Sequence, residues 1–232
     1  MPHYNKHFDR ELQDLKELVL RLGGMVEEQV SNAIQSLMEH NVELAKTTID
    51  NDHAINKTEV EIDEMCINIL ALRQPMGPDL RFVTTAIKII DNLERMGDMA
   101  VNISERVIDL AGEPRLKAYL DIPRMADITK SMLKNCLDAF VTRNTELAQQ
   151  VRLQDDMVDA LTDQIFRELL SYMTEDPHTI PRATRIMFIA KYIERIADHA
   201  TNIAEMVIYM VEGKIVRHTE PVGVLTKDGP KE

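Results

Sequence analysis

Glu94 and Asp98 stand four residues apart, and Glu194 and Asp198 repeat the arrangement 100 residues later. The flanking stretches 91–105 and 191–205 share Glu, Arg, Asp, Ala, Asn, Ile and Glu at matching positions. On a helix, residues four apart lie one turn apart on one face. Asn102 and Glu105 join the first pair within an arc of about 80°, and Asn202 and Glu205 join the second. Like-charged carboxylates at this spacing cost about 0.2–0.5 kcal/mol. A hard cation taking oxygen ligands removes that cost. Arg95 and Arg195, one residue on from the Glu, point elsewhere on the helix. Spacing alone leaves two readings open, a metal site and a pair of solvated acidic faces. The repetition, and the projection of Glu94 between Ile87 and Val101, suggest a groove edge instead of open solvent.

Long helices must carry these groups. Leu12, Leu15, Val19, Leu22, Val26, Val30, Ile34 and Leu37 recur in steps of three and four, which predicts one amphipathic helix from His7 to about Glu39. Gly23-Gly24 is a weak spot inside it, at about 1 kcal/mol per Gly relative to Ala. Asn41 can cap a second helix from Glu43 to about Leu72, and Pro75-Met-Gly-Pro78 breaks the chain. A third helix, from near Asp79 to Leu110, carries the first motif. The plan then restarts. A fourth helix runs from Asp121 to about Thr142, and Asn144-Thr-Glu-Leu-Ala148 repeats Asn41-Val-Glu-Leu-Ala45 to open a fifth. Asp176-Pro-His-Thr-Ile-Pro181 is the second break, and the sixth helix carries the second motif and stops at Gly213.

The expected fold class is therefore all-α: two tandem, pseudo-symmetric bundles of three long antiparallel helices. The expected divisions are 1–113, 114–213 and a loosely packed tail, 214–232. Helices three and six carry a second stripe at seven-residue spacing. It comprises Ile89, Met96, Ile103 and Leu110 on one, and Ile189, Ile196, Ile203 and Met210 on the other. Such spacing marks a helix–helix seam, here a contact between the two bundles.

Composition narrows the function classes. A net charge of −12 supplies no excess of Lys or Arg to neutralise nucleic-acid phosphates, whereas an acidic face can dock on a basic protein. Aromatics at 4% with 14 Met indicate aliphatic, Met-filled helical packing. Cys66 and Cys136 are isolated and fall on apolar faces, as buried free thiols of a reducing compartment. With no signal-like N-terminus and no membrane-spanning stretch, a cytoplasmic protein is expected, inserting in no membrane and reaching one only through partners.

The segments Leu72-Arg-Gln-Pro75, Asp79-Leu-Arg81, Leu93-Glu-Arg-Met-Gly-Asp98 and Tyr192-Ile-Glu-Arg-Ile-Ala-Asp198, with Gly213, Lys214, Arg217 and His218, resemble the bacterial phosphate-regulatory family PhoU in order and content. The resemblance runs from Phe8 to about His218. It implies a duplicated three-helix-bundle protein that is not an enzyme. Such a protein keeps the phosphate-starvation response off when phosphate is plentiful. Its implied partners are the ATPase subunit of the phosphate ABC transporter, the phosphate-sensing histidine kinase and a second copy of the chain. It also implies divalent or iron-type metal ions held by Glu94, Asp98, Glu194 and Asp198. Glu61, Asp63 and Glu64 on the second helix and Asp163 on the fifth are weaker candidates to complete a site, as are Asn102 and Asn202. Gly97 and Met99 stand where the second copy has Ala197 and His199, so two such sites need not be equivalent.

Two other readings compete with this one. A di-iron oxidoreductase or storage bundle wants Glu-x-x-His pairs aimed into a four-helix core. The match Glu175-Asp-Pro-His178 straddles Pro177 in a break, and Asp50-Asn-Asp-His53 is only a near match. A metal-free helical adaptor also suits the composition. The sequence carries no Gly-x-Ser-x-Gly, Gly-rich phosphate loop or HExxH segment, which leaves a hydrolase without its machinery. His3 and His7 sit at a fraying terminus, and Arg73, Arg81, Arg95 and Arg195 suit salt bridges and caps better than an anion nest.

Overall fold

The computed structural model describes residues 3–114, 116, 121–217 and 219. Six helices follow in order: α1 (His3–Glu39), α2 (Val42–Arg73), α3 (Pro78–Leu110), α4 (Asp121–Thr142), α5 (Thr145–Glu175) and α6 (Ile180–Glu212). A single 3-10 turn, Pro177–Thr179, precedes α6. No strand occurs among the described residues. The helices form two three-helix bundles, α1–α3 and α4–α6, with α3 packed on α6 and α1 on α4 between them.

The duplication extends to the backbone of the turns. Asn41 and Asn144 each accept a hydrogen bond from an amide three residues on, that of Leu44 or Leu147, at 3.0 Å in both cases. Each Asn follows a left-handed residue, His40 or Arg143, both at φ 54. Each Asn amide then donates back to Ser36 O or Ala139 O, closing the preceding helix in the same way. Helices α3 and α6 start differently. Gly77 at φ 57 and Pro78 open α3, whereas Asp176 receives the His178 amide at 3.0 Å ahead of α6. Gly213, at φ 71, ends α6 in the left-handed cap that its sequence position predicts.

All eight residues of the predicted seam are buried, at 5% exposure or less. Fully burying side chains of this size contributes roughly 1.5–3 kcal/mol each. Two contacts set the direction of the α3–α6 pair. Arg81 Nε donates to Met210 O at 3.3 Å, and Asn92 meets His199 at 2.9 Å. Eleven residues forward on α3 therefore correspond to eleven back on α6, an antiparallel register that sets Met96 about level with Ile196. Phe82 stacks on Phe140 of α4 at a centroid distance of 5.7 Å, adding an aromatic tie between bundles. Gly23 is a close approach: a Cβ there would stand 2.6 Å from Leu137 Cδ1 of α4.

Cys66 and Cys136 are free and buried, and burial pushes the Cys66 thiol up to about 12. The segment after Gly213, expected to be loose, is tied at its start. Val216 packs against the core, and its carbonyl accepts from Arg152 Nη2 at 3.2 Å. His218 lies outside the described residues, as does the chain from residue 220 onward.

Candidate functional site

The two motifs occupy equivalent places. From 93 to 100 and from 193 to 200 the pattern of burial is the same, residue for residue. Glu94 and Glu194 are half-buried, Asp98 and Asp198 more open, and Gly97 and Ala197 fully inside. Each motif lies along a groove with the preceding helix of its own bundle, α2 for the first and α5 for the second.

In the first groove, α2 supplies Asp52 and Glu59. Burial, then Asp98 and Glu59, raise Glu94 above the usual carboxylate range. Burial and Asp52 raise Asp98, and burial, Asp63 and Asp91 raise Glu59. Asp52 is oriented from both sides, by Gln29 Nε2 at 3.3 Å and by Asn56 Nδ2 at 2.8 Å. Gly97 leaves room for this: a Cβ there would come within 3.3 Å of Gln29 Oε1. The oxygens of Gln29 and Asn56 are themselves buried without a bonded partner among the described residues.

In the second groove, α5 supplies Asp155 and Asp159. Burial, Asp198 and Asp159 push Asp155 up to about 6. Burial and Glu194 raise both Asp159 and Asp198. Lys191 bonds Glu194 Oε1 and partly offsets this charge, while Glu194 Oε2 is buried with no bonded partner among the described residues. Crowded carboxylates partly withdrawn from water disfavour their own ionisation.

The other candidates lie in different surroundings. Glu61 is exposed and 3.8 Å from Lys57, away from Glu94, and lines a separate cleft with Glu11, Glu64 and Arg73. Asp163 is exposed, one turn beyond Asp159, close enough to raise it. Asn102 donates to Asp98 O at 2.8 Å, a bond along its own helix. Asn202 faces a groove between α3 and α6. Glu105 lies 3.5 Å from Arg106, and Glu205 is partly covered and lies 3.5 Å from the buried Arg152. The residues that sequence reasoning missed are Asp52, Glu59, Asp155 and Asp159. A signal existed for three of these positions: the Asn41–Asn144 alignment also pairs Asp52 with Asp155 and Asn56 with Asp159.

The grooves are acid-lined and stand open at Asp98 and Asp198. Among the described residues, no three His, Cys, Asp or Glu groups stand together as a ready-made metal set. Their donors are oxygens throughout, the chemistry of hard cations and of carboxylate-bound iron. No described helix is long and apolar enough to cross a membrane.

The family model of the PhoU domain matches twice, over residues 19–107 and 122–207. A phosphate-specific transport system accessory protein PhoU homolog of Aquifex aeolicus is 46% identical over 209 residues, 90% of this chain and 95% of its own. One from Pseudomonas putida is 39% identical over 217 residues, 93% of this chain and 85% of its own. The crystal structure of PhoU from Pseudomonas aeruginosa superposes with a TM-score of 0.87 at 39% identity, covering 89% of this chain and 100% of that one. That of the phosphate transport system regulatory protein PhoU from Streptococcus pneumoniae gives 0.85 at 32%, covering 90% and 99%.

Proposed function

The chain belongs to the PhoU family, and from that premise we propose that it is a non-enzymatic accessory protein of the phosphate-specific transport system. In this reading it keeps the phosphate-starvation response off while phosphate is plentiful. It does so as a cytoplasmic adaptor between the transporter's ATPase subunit and the phosphate-sensing histidine kinase. The observation that carries the reading is the double match of the PhoU domain on a duplicated bundle. The surface is consistent with it. Long helices with a charge of −12 suit salt-sensitive docking on basic partners. Phe166, Leu170, Ile180 and Phe188 on α5 and the start of α6 are each 44–51% exposed and offer an apolar patch for a partner or a second copy.

The same reading gives the acidic grooves a metal. Six carboxylates (Glu59, Glu94, Asp98, Asp155, Asp159 and Asp198) are held above their ordinary range by burial. With the buried, unpartnered Glu194 Oε2, they fit a divalent or iron-type cation. Glu94 and Asp98 with Asp52 and Glu59 would hold one. Glu194 and Asp198 with Asp155 and Asp159 would hold another. The bound ion supplies positive charge, and through it a change in the face offered to partners.

A phosphate-starvation reporter such as alkaline phosphatase, assayed in phosphate-replete cells lacking the gene, tests the role. High activity, returned to low by the intact gene, is expected. A reporter that stays low without the gene refutes the regulatory reading. Metal content of protein purified without chelator tests the second part, which fails if the protein carries none.

A further inference from the structure

Beside the acidic groove of α3, a second groove of about 620 Å³ runs between α3 and α6. Lys88, Asp91 and Arg95 of α3, His199 and Asn202 of α6, and Arg217 beyond α6 line it. We propose that this groove binds a hydrogen phosphate group, as the free ion or as the terminal phosphate of a small phosphomonoester.

The charge of the groove favours an anion. Three cations and one carboxylate meet here on a chain whose net charge is −12. Among the described residues no carboxylate lies within ion-pair distance of Lys88 or Arg217. Arg95 spends Nε on Asp91 at 3.2 Å and keeps its Nη groups for a ligand.

One of the cations is held in place from inside. Arg217 sits in the turn between Val216 and Thr219, and the carbonyls of both accept from Arg152 Nη2. The Arg152 side chain is 5% exposed and bound to Glu205 at 3.5 Å. A buried, paired guanidinium therefore fixes the turn that delivers Arg217 to the groove. Lys88 and Arg217 also line a smaller adjoining cavity of about 170 Å³, together with Glu205, the carboxylate that Arg152 holds.

Hydrogen bonding at Asn92 and His199 selects which oxyanion fits. Asn92 Nδ2 donates to Lys88 O at 2.7 Å, so its Oδ1 can only accept, and His199 Nδ1–H is the donor in their 2.9 Å bond. With the imidazole neutral, His199 Nε2 is an acceptor, as is the remaining Asp91 oxygen, beside the cations. Two acceptors in an anion site favour a ligand with its own proton, as hydrogen phosphate has and sulfate lacks. The scaffold does not force the arrangement. Under the 100-residue repeat Lys88, Asp91 and His199 correspond to Phe188, Lys191 and Met99. The walls of the groove come from both bundles, α3 on one side and α6 on the other.

Calorimetric titration of the full chain, stripped of metal by chelator and held near neutral pH, tests this with inorganic phosphate, adenosine monophosphate and sulfate. One phosphate site is expected. Lys88→Gln or Arg217→Gln weakens it about tenfold, while Lys134→Gln on α4, an exposed cation far from the groove in sequence, leaves it unchanged. Sulfate binds about tenfold more weakly, and Asp91→Asn narrows that gap. Tighter binding of adenosine monophosphate assigns the groove to phosphomonoesters, and tighter binding of inorganic phosphate to the free ion; either supports the proposal. No binding of either phosphate overturns it, as does an equal loss in Lys134→Gln or sulfate binding as tight as phosphate. The meaning of such binding rests on the phosphate-system reading. Binding without reporter control refutes that reading alone, and reporter control without binding refutes the groove alone.

Discussion

Asn92 of α3 and His199 of α6 meet at 2.9 Å across the contact between the two bundles, although 107 residues separate them in the chain. Asn92 is 6% exposed, and its amide group is committed to Lys88 O, so the histidine supplies the proton. This is a tie between the repeats that neither repeat contains by itself. Asn92→Ala and His199→Ala should each destabilise the fold by about 0.5–1.5 kcal/mol. In a double-mutant cycle read by chemical denaturation the two losses should be non-additive by a similar amount. Simple additivity would mean that the pair carries no coupling.

Stability should depend on pH through the second groove. Asp155 is raised to about 6 by burial, Asp198 and Asp159, with Asp156 also near. A carboxyl whose folded pKa exceeds its unfolded value binds its proton more tightly in the native state, so stability falls as pH rises through about 4 to 6. Protein stripped of metal should therefore melt about 2–4 °C higher near pH 5 than near pH 7.5. Asp155→Asn should flatten that difference. A melting temperature that rises over the same interval in the native protein would contradict the assignment.

Metal should act on the same charges. In protein freed of metal, Asp159→Asn with Glu194→Gln removes two of the crowded carboxylates and should raise the melting temperature. Adding a divalent or iron-type ion should raise it in the native protein through ligand linkage, and should do so much less in the double variant. Thermal melts with and without the ion distinguish the two effects. Equal stabilisation of both proteins would place the metal elsewhere.

The adjacent glycines of α1 should respond oppositely to one substitution. A Cβ at Gly24 meets nothing within 4 Å, so Gly24→Ala should stabilise the protein by about 0.5–1 kcal/mol. At Gly23 the same Cβ would stand 2.6 Å from Leu137 Cδ1, so the helical gain is offset by displacing α4 or its side chain. Denaturant midpoints of the two variants measure the contrast. A similar gain in both would mean that the α1–α4 contact yields freely.

The helices were legible because each buries one face, and a buried face writes its period into the chain. Asn41 and Asn144, Pro78 and Gly213 marked ends that the structure keeps. The seam was legible for the same reason, since Met96 and Ile196 recur in seven-residue stripes apart from their own bundle's core. The motif carboxylates were visible because they are repeated. Their neighbours Asp52, Glu59, Asp155 and Asp159 were not singled out, because an acidic residue on a helix has no period that tells groove from solvent. Only packing α2 against α3 and α5 against α6 decided which of many carboxylates are crowded together. Tertiary structure likewise put Glu205 on Arg152, Asn92 on His199 and Arg217 beside Lys88. These pairings join residues far apart in the chain, and they depend on the antiparallel register of α3 and α6, which no local pattern encodes.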